Sequence, residues 1–556
     1  MTLSHRFYGK LLTGSLEYKN MFKFLQNIVD VSDDEGDSLL ANAAPSSSEG
    51  VTARSSAGGD SDSSGDETAS SQRSRHPSPG AAATGGGNKK GMGVISLAVL
   101  TYYSVSGGPF GFENVVRAGG PFWALMGFGL FFVWAIPEAL VTIEMSIALP
   151  EASGSVAWVE AAFGPKWAFM KGWLSVLSGI ADNSLYPILF LDCFMQLVIT
   201  EQGEYPFAKH HTLRYVLTSF ITLSLTYLNY RGLDVVGKVA MFVCAFSLAP
   251  FVVFCLIGTF KLDPSRWLEG PAGGVSEVNW RLLLNTFYWN INFWDSAASF
   301  SGDVQSPVKT FPPGILMALI LVFLSTFLPI LIGTAASDRP YYEWTDGYFV
   351  ALGVEIAGPW LGYWMMAASS MTNIGMFEAE MSSDAWQVAG MAERGMIPKR
   401  FSDRNEFGTP KYGVILSLLG VLAVTTLEFE KVIDLLNLLF CFGQTIEYLA
   451  FIELRRTHPH LKRPWKIPLS YHGVCAMLFL PLAFSAMVLF LSSAQAIVIS
   501  SVLTVLGFIV YELLGRAKAG NWCEFAEYEP YIRVDYSIPL KNVDSGGSKN
   551  DQEDRQ

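Results

Sequence analysis

Ser104-Val105-Ser106-Gly107-Gly108-Pro109-Phe110-Gly111 lies inside an apolar stretch near residues 92–115, and no regular helix accommodates it well. Pro109 has no N–H to donate, and each glycine before it costs a helix about 1 kcal/mol relative to alanine. In lipid such a break survives only where the loosened backbone lines a cavity or meets protein. A second irregular centre, Asn290-Ile291-Asn292-Phe293-Trp294-Asp295-Ser296, puts polar groups at mid-membrane depth in a later stretch. A small-residue packing seam is the other reading of the first break, and a polar face satisfied by neighbouring helices that of the second.

Around these two centres the chain reads as membrane protein. Of 556 residues 50% are hydrophobic and 16% charged, against about 25% charged in an average soluble domain. Residues 1–91 carry 9 basic and 11 acidic side chains and residues 517–556 carry 5 and 8, which leaves 24 and 31 for the 425 residues between. Twelve apolar stretches follow one another near 92–115, 121–149, 166–199, 213–229, 233–259, 281–302, 311–334, 347–378, 412–427, 432–453, 473–492 and 494–515. Each is close to the roughly 20 residues that cross the hydrocarbon layer, and only helices satisfy such a backbone in lipid. The expected fold is an all-α integral membrane protein of 12 transmembrane helices spanning 92–516. It lies between a disordered N-terminal tail, 1–91, and a polar C-terminal tail, 517–556.

Lys89, Lys90, Lys166, Lys171, Arg231 and Lys238 cluster on one side if the spans alternate, with Arg394–Lys411 and Arg455–Lys466. That side is expected to be cytoplasmic, with both termini inside. The acidic total and the lack of a basic face argue against a nucleic-acid partner. The six cysteines show no Cys-x-x-Cys spacing, so no disulfide framework, metal site or cofactor is expected.

If spans 1–5 and 6–10 form two halves of opposite topology, the breaks in spans 1 and 6 occupy corresponding positions. Paired interruptions of that kind point to a secondary transporter with its site at the midplane. The embedded ionisable residues are nearly all acidic: Glu138 and Glu144, Asp182 and Asp192, Asp295 and Asp303, Glu378 and Glu380. A carboxylate at the bilayer centre costs about 2.5–3.5 kcal/mol on insertion scales. With no Lys or Arg in the same intervals, the expected neutralisers are a proton and a cationic substrate. An inside-negative potential then favours import of organic cations.

The substrate-binding candidates are Ser106, Gly107, Gly108, Asp182, Tyr186, Asn290, Asn292, Trp294 and Asp295. Asp295 is the foremost carboxylate, Trp294 a cation–π cover, and Asn290 and Asn292 either neutral acceptors or half-helix caps. Ser178, Asp182 and Tyr186 recur every four residues and share a helix face, as a cation site or a packed polar seam. Glu138, after Pro137 in an apolar run, and Glu113, just past the first break, are the proton-coupling candidates. Glu378 and Glu380 are expected near a helix end, capping it or pairing with the Arg394–Arg404 loop.

Six ordered segments carry a family resemblance: Ser106–Gly111, Ile136-Pro137-Glu138-Ala139-Leu140-Val141-Thr142, Asp182-Asn183-Ser184-Leu185-Tyr186-Pro187, Trp289–Ser296, Gly390-Met391-Ala392-Glu393-Arg394-Gly395-Met396 and Arg463-Pro464-Trp465-Lys466-Ile467-Pro468. Over roughly 92–515 the chain resembles the polyamine:proton symporters of plants and protists, within the amino acid/polyamine/organocation superfamily. The resemblance implies a LeuT-like fold of two inverted five-helix repeats plus two helices, with a site among spans 1, 3, 6, 8 and 10. In amino-acid carriers of that superfamily the span 1 loop holds the substrate carboxylate; a polyamine has none, and here Pro109 removes a donor. Some proton-coupled relatives place a lysine in span 5, whereas Cys244–Ala249 contains none, which leaves the proton to an acid such as Glu138.

The expected function is proton-coupled import of putrescine- or spermidine-like polyamines by alternating access, in the plasma membrane or an endomembrane. The alternatives are an amino-acid carrier of the same fold and a sensor that binds without transport. No phosphate loop, nucleophile elbow or metal-ligand cluster suggests an enzyme.

Overall fold

The computed structural model describes residues 92–198, 211–304, 306–425 and 429–528. The N-terminal tail 1–91 and most of the C-terminal tail, 529–556, lie outside the described residues. Among the described residues the chain is helical with no strand. Helix α1 (Val94–Val105) ends at the first break, and α2 (Glu113–Gly127) begins beyond it. Gly120 turns α2 at φ 76° before Pro121, and a π-type turn, Phe131–Ala135, leads into α3 (Ile136–Ala148).

Next come α4 (Ser155–Phe163), α5 (Pro165–Asn183), α6 (Leu185–Val198), α7 (His211–Tyr230) and α8 (Leu233–Gly258). Helix α9 (Trp280–Ile291) stops at Asn292, and a 3-10 segment, Trp294–Asp303, continues its course. The remaining helices are α10 (Pro307–Ala336), α11 (Tyr348–Ala357), α12 (Pro359–Glu393), α13 (Lys411–Val424), α14 (Phe429–Thr457), α15 (Tyr471–Leu491) and α16 (Ala494–Ala519). Their starts follow local chemistry. Pro165 and Pro359 occupy the first turn, where no N–H is required, while Ser470 and Ser493 accept bonds from Gly473 N and Ala496 N.

Seven helical stretches among the described residues are long and apolar enough to cross a membrane: Phe131–Ala148, Pro165–Met195, Leu233–Lys261, Pro307–Ala336, Val432–Thr457, Tyr471–Leu491 and Ala494–Ala519. Burial follows lipid rather than water. Phe220, Phe242, Leu256 and Phe490 face outward, while Glu138, Glu144, Lys171, Glu378 and Glu447 have no exposed surface. A soluble protein would reverse both sets. The chain is a multi-pass integral membrane protein.

The stretch 347–378 is not one span. Gly358, at φ 98°, separates the short α11 from the 35-residue α12, which runs to Glu393. Its second half, rich in Glu, Ser and Asp, escapes a hydrophobicity count because it faces other helices instead of lipid. Helix α12 packs against α8, α6 and α5, and α14 packs against α5 and α15, so α5 and α12 are enclosed.

Past α16, the described start of the C-terminal tail docks on the loop after α12. Lys399 N donates to Glu524 O at 2.8 Å and its Nζ lies 2.5 Å from Glu524 Oε1. The Arg394 guanidinium covers the Tyr528 ring at 4.4 Å and pairs with Glu151 and Glu160.

Candidate functional site

The break between α1 and α2 is a built loop. Gly108 and Gly111 take φ of 89° and 91°, which an L side chain adopts only with strain. A Cβ on Gly108 would also approach Tyr102 Oη to 2.8 Å, and one on Gly107 would approach Met376 Sδ to 2.5 Å. The freed backbone finds new partners. Gly108 N donates to Ser106 Oγ at 3.2 Å, and Gly107 O accepts from Thr372 Oγ1 of α12 at 2.9 Å. Glu113 accepts from Gly111 N at 2.7 Å and from Gly347 N at 3.2 Å, so its carboxylate ties the loop of the first break to the start of α11.

The second break centres on Phe293, in the left-handed region at φ 69°. Trp294 N, freed by the break, donates to Glu138 Oε1 at 3.0 Å. Proline two residues into α3 and the π-type turn before it set the register that carries Glu138 inward. Asn292 braces the end of α9 by donating to Tyr288 O at 2.6 Å and accepting from Trp134 Nε1. Asn290 donates to Thr286 O at 2.9 Å within its own helix. The Trp294 indole is fully buried and donates to Ile291 O at 2.8 Å.

Asp182, near the end of α5, meets the last turn of α9 just before the second break. It accepts from Tyr186 Oη at 2.5 Å and from Trp289 Nε1 at 2.9 Å. On one side Trp289 lines an open cleft with Gly111, Thr286, Asp346 and Asp434. On the other, a narrow cavity of about 20 Å³, room for about one water, lies among Gly179, Phe293, Asp295, Glu380, Ser383 and Asp384. Asp182, Glu380 and Asp384 form no ion pair among the described residues.

Other embedded acids do have cations, contrary to the expectation from sequence. Lys171 does not open a span at the surface. Its Nζ is buried 3.0 Å from Asp295 Oδ2 and 3.1 Å from Glu447 Oε2, with no exposed surface. The negative charge of Asp295 is therefore already matched by a protein cation. Two acids against one lysine, with Glu138 nearby, leave more carboxyls than cations in this buried place. Glu144 is held by Arg455 at 2.5 Å, Arg463 at 3.0 Å and Ile467 N at 2.9 Å. Asp192 pairs with Arg214 at 2.7 Å.

Glu378 and Glu380 are not at a helix end and, among the described residues, make no pair with the Arg394–Arg404 loop. Helix α12 continues thirteen residues past Glu380, to Glu393. Glu378 accepts from Asn229 Nδ2 at 3.3 Å, while Glu380 faces the cavity.

Sequence reasoning passed over Lys171, Glu447, Trp289 and Asp384. A signal for Lys171 was present: Lys171, Ser175, Ser178, Asp182 and Tyr186 continue one face at spacings of three and four. Glu380 and Asp384 likewise share a face of α12. Gln444 and Glu447 also stand three apart on α14.

Broken helices, an enclosed acidic centre and a lipid-facing apolar surface define a membrane permease rather than an enzyme. A family model described as amino acid permease matches residues 92–512, and the chain belongs to that family. It is 42% identical to the polyamine transporter RMV1 of Arabidopsis thaliana over 438 residues, 79% of this chain and 88% of the relative. It is equally 42% identical to the polyamine transporter PUT1 of Oryza sativa subsp. japonica over 451 residues, 81% and 82% of the two chains. At 22% identity over 478 residues it also matches the arginine/ornithine antiporter ArcD1 of Lactococcus lactis, covering 78% of this chain and 86% of that one.

Proposed function

We propose that this protein imports polyamines of the putrescine and spermidine class, coupled to protons, by alternating access between two inverted five-helix repeats. In this reading α15 and α16 complete a twelve-span domain whose basic loops, and both termini, face the cytoplasm of a cell bounded by its plasma membrane. The observation that carries the reading is Asp182: a buried carboxylate beside the second broken helix, held by Tyr186 and Trp289, with no cation among the described residues. An alkylammonium supplies the missing charge, and the Tyr186, Trp289 and Phe293 rings suit its aliphatic stem.

The span 1 loop favours an amine over an amino acid. Pro109 has no N–H, and the N–H groups of Ser106, Gly108, Gly111 and Phe112 are already engaged, which leaves little to receive a substrate carboxylate. Ser106, Gly107 and Gly108 then contribute carbonyls and close approach, while Asn290, Asn292 and Trp294 hold the second break in shape.

For the proton, Glu138 is the proposed carrier, in contact with the second break through Trp294 N and facing the Lys171–Asp295–Glu447 cluster. A proton on this cluster offsets its surplus of carboxyls over cations, and movement of the broken helix alters that need. Glu113 ties the first break to the start of α11. Uptake of labelled putrescine into liposomes containing the purified protein, at two external pH values, tests the proposal: accumulation that rises with an inward proton gradient is expected, and binding without accumulation refutes transport.

A further inference from the structure

Resting on the polyamine reading, the geometry points to a second ammonium subsite, formed by Glu380 and Asp384 of α12 against Gly179 of α5, one helical turn further from the cleft than Asp182. Glu380 is 4% exposed, its Oε2 has no hydrogen-bond partner among the described residues, and it lines the small cavity. Asp384 is equally buried, and Ser417 Oγ is its neighbour at 3.4 Å. Asp182, Asp295 and Asp384 all lie close enough to Glu380 to act on it electrostatically, and of these Asp295 alone has a lysine among the described residues.

A carboxylate oxygen buried without a partner loses its hydration with nothing in return, so a donor belongs there. The cavity is the size of one water, which is also the size of one ammonium head. Gly179 makes the space: a Cβ at that position would come within 2.2 Å of Asp384 Oδ1. Residues 179 and 182 are three apart on one helix, so Asp384 and Asp182 are offset along α5 by roughly 4.5 Å, at about 1.5 Å per residue. With the reach of the side chains added, that offset suits the two ends of a short alkyl diamine. The site thus counts amines: a monoamine satisfies Asp182 alone, whereas a diamine satisfies both ends.

The test is displacement of labelled putrescine from the purified full-length protein by butylamine, putrescine and spermidine, in wild type, Glu380→Gln and Asp384→Asn. Charge-assisted hydrogen bonds are strong enough that each substitution is expected to cut the advantage of diamine over monoamine by about tenfold or more. The charge-conserving Asp384→Glu should retain part of it. An unchanged advantage, or a parallel loss for both amines, overturns the subsite. So does sodium displacing the label in wild type but not in the variants, which would make the site one for an inorganic cation. A wild-type protein that binds no amine overturns the polyamine reading itself, and this inference with it.

Discussion

Trp289 Nε1 lies 2.9 Å from Asp182 Oδ1, and this bond joins the open cleft to the acidic interior. Trp289 belongs to the last turn of α9, just before the second break, so the position of the broken helix decides whether Asp182 is covered. Replacing Trp289 by Phe keeps the ring and removes the donor. Loss of one hydrogen bond to a charged group should weaken putrescine binding about tenfold or more, read by displacement, while Asp182→Asn abolishes measurable uptake with the protein still in the membrane.

Lys171 holds two carboxylates at 3.0 and 3.1 Å in an enclosed place. Removing one partner of a buried pair typically costs about 3–5 kcal/mol, since the charges left behind are uncompensated. Lys171→Met should lower the thermal midpoint of the detergent-solubilised protein substantially. Adding Asp295→Asn and Glu447→Gln should recover much of the loss; a triple variant as unstable as the single one would mean that packing of the lysine stem dominates.

Glu138→Gln retains an oxygen that can accept from Trp294 N but can no longer exchange a proton. Exchange of internal for external putrescine should survive in this variant while accumulation driven by a proton gradient disappears. Equal loss of exchange and accumulation would assign Glu138 to structure.

Gly108 combines two constraints, φ of 89° and a 2.8 Å approach of its would-be Cβ to Tyr102 Oη. Gly108→Ala should destabilise by at least the roughly 1–2 kcal/mol of the left-handed backbone, with the clash in addition. In a Tyr102→Phe background the penalty should shrink without vanishing, as thermal unfolding of the two pairs of variants would reveal.

Glu144 bears two arginines and a backbone N–H at 2.5–3.0 Å, far from Asp182 in the sequence and absent from the cavity lining. Glu144→Gln leaves Arg455 and Arg463 buried side by side and should reduce the folded yield and thermal midpoint. The relative affinities for monoamine and diamine in the surviving protein should stay as in wild type.

The sequence by itself determined the helical membrane class, both interruptions and the presence of acids at depth. Those are local properties: a backbone in hydrocarbon must satisfy itself within its own segment, so Gly107-Gly108-Pro109 and Asn292-Phe293 betray a break wherever they fold. The face shared by Ser178, Asp182 and Tyr186 was legible for the same reason, since helical spacing alone sets it. Only the tertiary structure decided which acids already have a cation. Lys171 meets Asp295 across 124 positions, and Arg455 meets Glu144 across 311. Charges interact through space and not along the chain, so no local pattern marks Asp295 as paired and Asp182, Glu380 and Asp384 as without an ion pair among the described residues.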